Sequence, residues 1–336
     1  MRYGHYRRQL SPTVIPRFRC GHCRRTFSSQ TFSTTYWLRR PDLLPAVFQR
    51  LLACSGYRQI AREAGCHPTT VMGLAARLGR HALLYLEHHR PPLPIAEPLV
   101  IDGFESFEFS QYHPLHVNLA VGAHSHYLYA FTESELRRKG RMTRYQRRRR
   151  GWLEARFGRP DPKAVERGVA ALVEVAAPQA QPLTIHSDEH DAYPRAFRRL
   201  RAYPITHERT SSRVARTPGN PLFPVNLLDL LLRHNSANHK RETIAFSKRR
   251  QSVLERVAIL AVWRNFMKPF SERHGGGTPA MRLGVTDRGV RIGEILRRRL
   301  FPERTPLAPE WAHYYRREVP TRRIPNTRYH QLTLAF

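Results

Sequence analysis

The sequence contains no apolar run that approaches the roughly 18–20 residues of a membrane-spanning helix. Its N-terminus also lacks the apolar core of a secretory signal peptide. Only four cysteines occur among 336 residues, which is too few for a disulfide framework and fits a reducing compartment. We therefore expect a soluble, cytoplasmic protein.

Acidic residues are also scarce, with 26 Asp and Glu against 57 Lys and Arg, and the formal net charge is +31. This excess predicts a polyanionic partner, because Arg and Lys that neutralise phosphates release condensed counterions. Nucleic acid is the expected partner, and an anionic membrane surface is the competing interpretation. A hydrophobic share of 41% can build a core, so we expect the charge on folded domains rather than on a disordered tail.

Pro- and Arg-rich segments divide the chain. Residues 89–94 contain consecutive prolines, which block helix and predict an extended linker. We predict a basic DNA-binding lobe over residues 1–37, a helical segment over 38–90, an α/β domain over 96–270 with a basic insertion at about 134–160, and a basic C-terminal tail over 271–336.

Cys20 and Cys23 form a Cys-x-x-Cys pair flanked by aromatic and basic residues, as in one half of a zinc ribbon. A structural Zn²⁺ ion needs four ligands, and this pair supplies two. No second cysteine pair precedes it, although His5 and His22 are near in sequence. One interpretation is that the chain begins inside a truncated ribbon. The other is a small basic lobe with two unmetallated cysteines.

Residues 55–78 have the pattern of two helices joined by a turn. Apolar residues recur at helical spacing on both sides of Gly65, and a Pro-Thr-Thr run can open the second helix. In a helix-turn-helix, this second helix would present Thr69, Thr70 and Arg77 to a DNA major groove. The alternative is a plain helical hairpin.

Two short apolar runs end in an aspartate, Asp102 in residues 99–104 and Asp188 in residues 183–188. Buried strands have this pattern, and an Asp at a strand end projects from the sheet edge, where ligands commonly sit. Three further strands are predicted at residues 117–122, 126–131 and 201–206. The predicted fold class is therefore α/β, with a mixed sheet flanked by helices in an RNase H-like order.

Two carboxylates at strand ends suit Mg²⁺ or Mn²⁺, because hard cations prefer oxygen ligands. Two such ions close together can activate a nucleophile and stabilise the leaving oxygen in phosphodiester displacement. We therefore assign Asp102 and Asp188 as catalytic metal ligands.

A third acid is needed, and two candidates remain open. Asp229 lies on the polar face of a helix predicted over residues 226–236, and we favour it slightly. Glu242 lies in a basic run and is the competitor. For each of them the alternative is a surface charge balanced by basic neighbours.

Nine of the fourteen residues from 137 to 150 are basic. Repulsion at this charge density is relieved most naturally by phosphate contacts, so we predict a clamp on the DNA backbone. The alternative is a solvated, mobile segment. The residues assigned to this clamp are Arg137, Arg138, Lys139, Arg141, Arg147, Arg148, Arg149 and Arg150. Residues 209–216 and 297–299 are expected to add phosphate contacts.

The sequence resembles bacterial insertion-sequence transposases that carry a zinc ribbon, a helix-turn-helix and a DDE-type RNase H-like catalytic domain. The likeness runs from about Arg17 to Lys268. It rests on the runs at residues 17–28, 101–105, 187–190 followed by Tyr193, and 241–248. By this resemblance Asp102 and Asp188 would be the first two metal ligands. The third acid would lie near Asn226, with Asp229 one turn later.

The resemblance implies a reaction without a covalent enzyme–DNA intermediate. Water attacks a phosphodiester at the end of the element, and the freed 3′-hydroxyl then attacks target DNA. The implied partners are double-stranded element ends and target DNA, bound by a homo-oligomer in the nucleoid of a bacterium. The main alternative is a decayed transposase that binds DNA without cutting it. An RNA-binding protein would explain the charge but not the paired aspartates, and Tyr193 lacks the Arg-His-Arg set of a tyrosine recombinase.

Overall fold

The computed structural model describes residues 1–240 and 243–320. Eight strands lie in this part of the chain: β1 (Arg2–Arg7), β2 (Val14–Arg19), β3 (Thr26–Ser28), β4 (Leu99–Phe107), β5 (Pro114–Gly122), β6 (Leu128–Glu135), β7 (Leu183–Ser187) and β8 (Ile205–Arg209). The α-helices of the same residues are α1 (Leu43–Leu52), α2 (Tyr57–Glu63), α3 (Pro68–His88), α4 (Arg144–Phe157), α5 (Ala164–Ala176), α6 (Ala192–Phe197), α7 (Phe223–Asn235), α8 (Arg250–Val262), α9 (Pro279–Arg282), α10 (Ile292–Arg297) and α11 (Pro309–Arg316).

The fold is α/β, with a five-stranded mixed sheet flanked by helices. Its strand order is β6-β5-β4-β7-β8. The strands β4, β5 and β6 pair antiparallel, and β7 and β8 add to the β4 edge in parallel. The predicted α/β class with a mixed sheet and the predicted hairpin are thereby confirmed, whereas the strand predicted at 201–206 is wrong in its bounds, since β8 begins at Ile205 and continues to Arg209.

Strand β4 is longer than its apolar run predicted. It pairs with β5 from Leu99 opposite Gly122 to Phe107 opposite Pro114. Asp102 is therefore the fourth residue of a nine-residue strand, and the expectation that it ends the strand is wrong. The backbone pairing with β5 continues past the acid because hydrogen bonding along a ladder does not depend on apolar side chains.

The helices α5 and α7 cover opposite faces of the sheet. Phe104 of β4 lies under the guanidinium of Arg233 on α7. Its neighbour Gly103 points to the other face, since side chains alternate along a strand. On that face α5 approaches so closely that a Cβ on Gly168 would lie 2.1 Å from Ser134 Oγ. The sheet is therefore a buried middle layer.

The helix pair α2 and α3 forms where two helices and a turn were predicted. Gly65 in the four-residue connection has φ +57°, a left-handed conformation that favours glycine. The longer helix α3 packs along α8, where a Cβ on Gly79 would lie 2.6 Å from Glu255 Cβ. One hydrophobic core joins α1, α2 and α3 to the sheet, so the linker at residues 89–94 connects parts that share a core.

Residues 271–320, expected as part of a basic tail, contain α9, α10 and α11. Trp311 and Tyr314 are each 2% exposed and face β6, where the Trp311 indole N–H donates to the Phe131 carbonyl over 3.0 Å. The basic charge alone predicted a tail, whereas the aromatic residues of α11 pack this helix against the core. Residues 321–336 of the expected tail lie outside the described residues. In the described part of the chain, no helix is both long enough and apolar enough to cross a membrane.

Candidate functional site

Asp102 and Asp188 lie side by side where the parallel pairing of β4 and β7 ends. The parallel strands β4 and β7 pair with Leu99 opposite Ile185 and Val100 opposite His186. Continuing this register by two residues places Asp102 beside Asp188, the first residue after β7. The negative charge of Asp188 contributes to a raised pKa at Asp102, which shows that the two carboxyl groups interact.

Two hydrogen bonds hold the Asp102 carboxyl group. The backbone N–H of Gly103 donates to Asp102 Oδ1 over 2.7 Å, and the Tyr193 hydroxyl donates to the same oxygen over 3.4 Å. Burial raises the pKa of Asp102 to about 6, against the lowering effects of these hydrogen bonds and of the Arg216 charge. An ionised Asp102 is therefore costly unless a cation compensates it.

Tyr193 lies on α6 with its ring buried. Burial, followed by the charges of Asp102, Asp188 and Asp229, raises the pKa of its hydroxyl well above the ordinary value. This hydroxyl keeps its proton and acts as a donor to Asp102, which does not suit a tyrosine nucleophile. The preceding turn is held by the His190 backbone N–H, which donates to Asp188 Oδ1 over 2.9 Å.

The third acid is less well placed. Asp229 lies on α7, which packs against β4 and β5, and its charge reaches the Tyr193 hydroxyl. Asn226 lies one turn earlier on the same helix. Within residues 1–240 and 243–320, however, no three His, Cys, Asp or Glu side chains form a group that could hold a metal ion. Glu242 lies outside the described residues.

The pair of carboxylates fits a Mg²⁺ or Mn²⁺ ion that takes its remaining ligands from water and substrate phosphates. Mg²⁺ is commonly bound in this way by one or two carboxylates. The buried, negatively charged surroundings of Asp102 favour the same ligand, since a divalent cation would offset two interacting acids.

The cysteine pair lies in the connection between β2 and β3. The Cys20 N–H donates to the Arg25 carbonyl over 2.9 Å, which closes this turn. Hydrogen bonds from the Cys23 and His22 backbone lower the pKa of the Cys20 thiol, as suits a metal-binding thiolate. The described residues add no third ligand beside the pair. They supply half of a zinc site and leave the predicted zinc ribbon unconfirmed.

The basic segment after β6 forms the exposed helix α4. Thr143 caps it, with its hydroxyl accepting from the Gln146 N–H over 3.2 Å. Leu153 is the one buried residue of this helix. Lys139, Arg141, Arg147 and Arg148 of the predicted clamp are exposed, while Arg138 and Arg149 are half-buried.

Two other residues of the clamp hold α4 in place. The Arg137 guanidinium contacts Glu154 over 2.8 Å, and Arg150 contacts the same carboxylate over 3.5 Å and donates to the Arg138 carbonyl over 2.9 Å. Arg149 stacks on Trp152, 4.4 Å from the ring centroid. The arginines that the sequence grouped together therefore divide into an exposed set and an anchoring set.

The three residues assigned to a recognition helix have different environments. Thr69 is exposed at the start of α3, and Thr70 is half-buried. Arg77 is partly buried, which lowers its pKa, and it donates to the Thr34 carbonyl over 3.4 Å. It contacts the N-terminal lobe, so a DNA-reading helix-turn-helix is unconfirmed.

A buried ion cluster near the ends of β4 and β6 was missed in the sequence. Arg250, at the start of α8, lies 3.1 Å from Glu133, 2.7 Å from Glu135 and 3.5 Å from Glu108. No role for Arg250 was predicted from the sequence. No local signal distinguishes this arginine, because its three partners come from distant segments.

The structural role of Tyr193 was also missed, although its place five residues after Asp188 is a usable signal. That spacing puts it on the helix that follows the strand, close to the acids. No protein-family model matches the chain, and no curated protein matches it. The function therefore has to be inferred from the residues and their arrangement.

Proposed function

We propose that this protein is a DDE-type transposase, which cuts DNA strands at the ends of a mobile element and joins them to target DNA. The observation that carries the proposal is the placement of Asp102 and Asp188 side by side on the parallel strand pair, with interacting charges. The strand order of the sheet supports an RNase H-like domain, in which paired acids on central strands are expected.

In this proposal Asp102 and Asp188 would hold Mg²⁺ or Mn²⁺, and the ion would supply activation of a water molecule and stabilisation of the leaving oxygen of the phosphodiester. Gly103 and Tyr193 fix the orientation of the Asp102 carboxyl group through their hydrogen bonds. Orientation matters because misplaced ligands lose much of their effect on rate.

The third ligand is proposed to be Asp229. Its charge, like those of Asp102 and Asp188, contributes to the raised pKa of the Tyr193 hydroxyl, which supports a position near the pair. Glu242 is the alternative.

The DNA itself is proposed to contact the exposed cations of α4 and Arg216. The exposed part of α4 offers a dense row of arginines, and Arg216 lies close enough to lower the pKa of Asp102. These contacts bind phosphates without reading sequence. The proposal also includes DNA contacts from the clamp residues and from the start of α3. It further includes a homo-oligomer on paired DNA ends, by analogy alone.

A second candidate is a protein that binds DNA without cutting it. The specific observation in its favour is that Asn226 occupies the place where the resemblance expects the third acid, together with the lack of a three-ligand group among residues 1–240 and 243–320. This candidate keeps the basic surfaces and loses only the chemistry.

The two candidates are separated by cleavage of the DNA that flanks the gene. With Mg²⁺, the purified protein should nick a labelled duplex that carries either flank, and Asp102→Asn or Asp188→Asn should abolish nicking while duplex binding persists. Asp191→Asn is the matched control, because this side chain lies three residues from Asp188 and is 81% exposed. Binding without nicking by the wild type would favour the second candidate. Unchanged nicking by both Asn variants would overturn the site.

A further inference from the structure

A groove of about 990 Å³ separates the N-terminal helices from the segment before α8. One wall is formed by α2 and the start of α3, and the other by the described residues between 237 and 256. Its volume lies at the upper end of the range for pockets that hold ligands. The groove is separate from the acid pair, because neither Asp102 nor Asp188 lines it.

Apolar side chains stand exposed in this groove. Ile244 is 100% exposed and Met72 is 48% exposed, on opposite walls. Phe246 lies beside Ile244 and packs on Phe107 with ring centroids 5.6 Å apart. Clustered exposed apolar residues commonly mark a binding surface.

The rim of the groove is positively charged. Arg58 and Arg62 lie on the α2 wall, and Lys240, Lys248 and Arg249 lie on the opposite wall. No Asp or Glu occurs among the described residues that line the groove. A second copy of a chain with a net charge of +31 would bring like charges together here, whereas a polyanion would neutralise them.

We propose that this groove binds single-stranded DNA. Proteins that bind unpaired strands combine a cationic groove along the backbone with aromatic side chains on which the bases stack, and here Phe246 supplies a ring beside the exposed Ile244. A duplex keeps its bases stacked inside and could use only the rim, so the exposed apolar wall favours an unpaired strand. The choice of DNA over RNA rests on the proposed function, but binding in the groove does not require cleavage.

The test is fluorescence anisotropy without divalent metal, with a labelled 15-nucleotide oligo(dT), a duplex of the same length and oligo(rU). The wild type should bind oligo(dT) in the groove and the duplex through α4. Ile244→Ser should weaken oligo(dT) binding at least about fivefold, because an exposed apolar side chain loses its contact with a base, and should leave the salt dependence and duplex binding unchanged. The double variant Arg58→Ala, Lys248→Ala should lower the slope of log affinity against log salt by about 1.4.

Arg201→Ala is the matched control, because Arg201 is an exposed cation outside the groove. It should leave oligo(dT) binding to within experimental error of the wild type. The fully exposed position of Ile244 makes Ile244→Ser a folded variant, which circular dichroism verifies.

Three results would overturn the proposal. Equal weakening of duplex and oligo(dT) binding by Ile244→Ser would remove the preference of the groove for unpaired strands, and tighter binding of oligo(rU) by the wild type would make RNA the ligand. Conversion of an oligomer to a monomer by Ile244→Ser, with unchanged oligo(dT) affinity, would make the groove a self-association surface. The binding assay contains no divalent metal. Its outcomes can therefore be interpreted even if the protein does not cleave DNA at the acid pair.

Discussion

Replacing Asp102 with Asn is expected to stabilise the metal-free protein. Burial raises the pKa of Asp102 from its ordinary value of 3.8 to about 6. At about 1.4 kcal/mol for each pKa unit, this rise corresponds to about 3 kcal/mol of cost for an ionised carboxylate in the folded state. Since the side chain is only partly buried, we expect a measured gain of about 1–3 kcal/mol for the neutral amide.

The pH dependence follows from the sign of this pKa shift. A raised folded-state pKa means that the folded state binds the proton more tightly than the unfolded state. The cost is therefore absent below about pH 4, develops as pH rises from 3.8 to about 6, and is complete above pH 6. The free-energy difference between Asp102→Asn and the wild type should follow the same curve.

Urea unfolding at pH 4 and pH 7.5 measures this difference, with Asp191→Asn as the exposed control. Adding Mg²⁺ at pH 7.5 should stabilise the wild type and leave Asp102→Asn unchanged, because only a ligand that binds the folded state stabilises it. An Asn variant that is less stable than the wild type at pH 7.5, or a difference independent of pH, would refute the proposed electrostatics of the acid pair.

Three other results are expected. Asp229→Asn should reduce the rate of Mg²⁺-dependent nicking in single-turnover assays at least about 100-fold, whereas Asn226→Ala should nick at the wild-type rate. Equal losses of rate in the two variants would reject Asp229 as the third ligand. Gly168→Ala should destabilise the fold by about 1–3 kcal/mol in thermal or urea melts, because its Cβ would overlap Ser134; an unchanged melting temperature would contradict the tight approach of α5. The double variant Arg147→Ala, Arg148→Ala should lower the salt slope of duplex binding by about 1.8 in filter-binding titrations, and an unchanged slope would show that α4 does not contact phosphates.

The central sheet was largely predictable because its signals are local. The apolar runs that end near Asp102 and Asp188 each marked a strand. The predicted pattern of three antiparallel strands followed by further strands agrees with the observed sheet. The length of β4 was not predictable, because its second half alternates apolar and polar residues and becomes a strand through its pairing with β5. Tertiary pairing therefore moved Asp102 from the end of a strand to its interior.

Features that depend on distant contacts escaped prediction. The packing of α3 along α8 and of α11 on β6 joins segments that the composition had divided into separate parts. The ion cluster around Arg250 escaped prediction for the same reason, since only folding brings Glu108, Glu133 and Glu135 close to it. In the candidate site, the two acids on strands were found by pattern, whereas the third acid depends on how α7 packs.

The central claim is that the Asp102–Asp188 pair holds a metal that supports cutting and joining of DNA strands. Its most direct test is a strand-transfer reaction with Mg²⁺, in which the flanking DNA is supplied as a labelled duplex and the joined products are sequenced. The account predicts junctions between one defined 3′ end and target DNA for the wild type and for Asp191→Asn. It predicts none for Asp102→Asn or Asp188→Asn. Junctions formed equally by the two Asn variants, or by the wild type in the presence of a chelator, would contradict it.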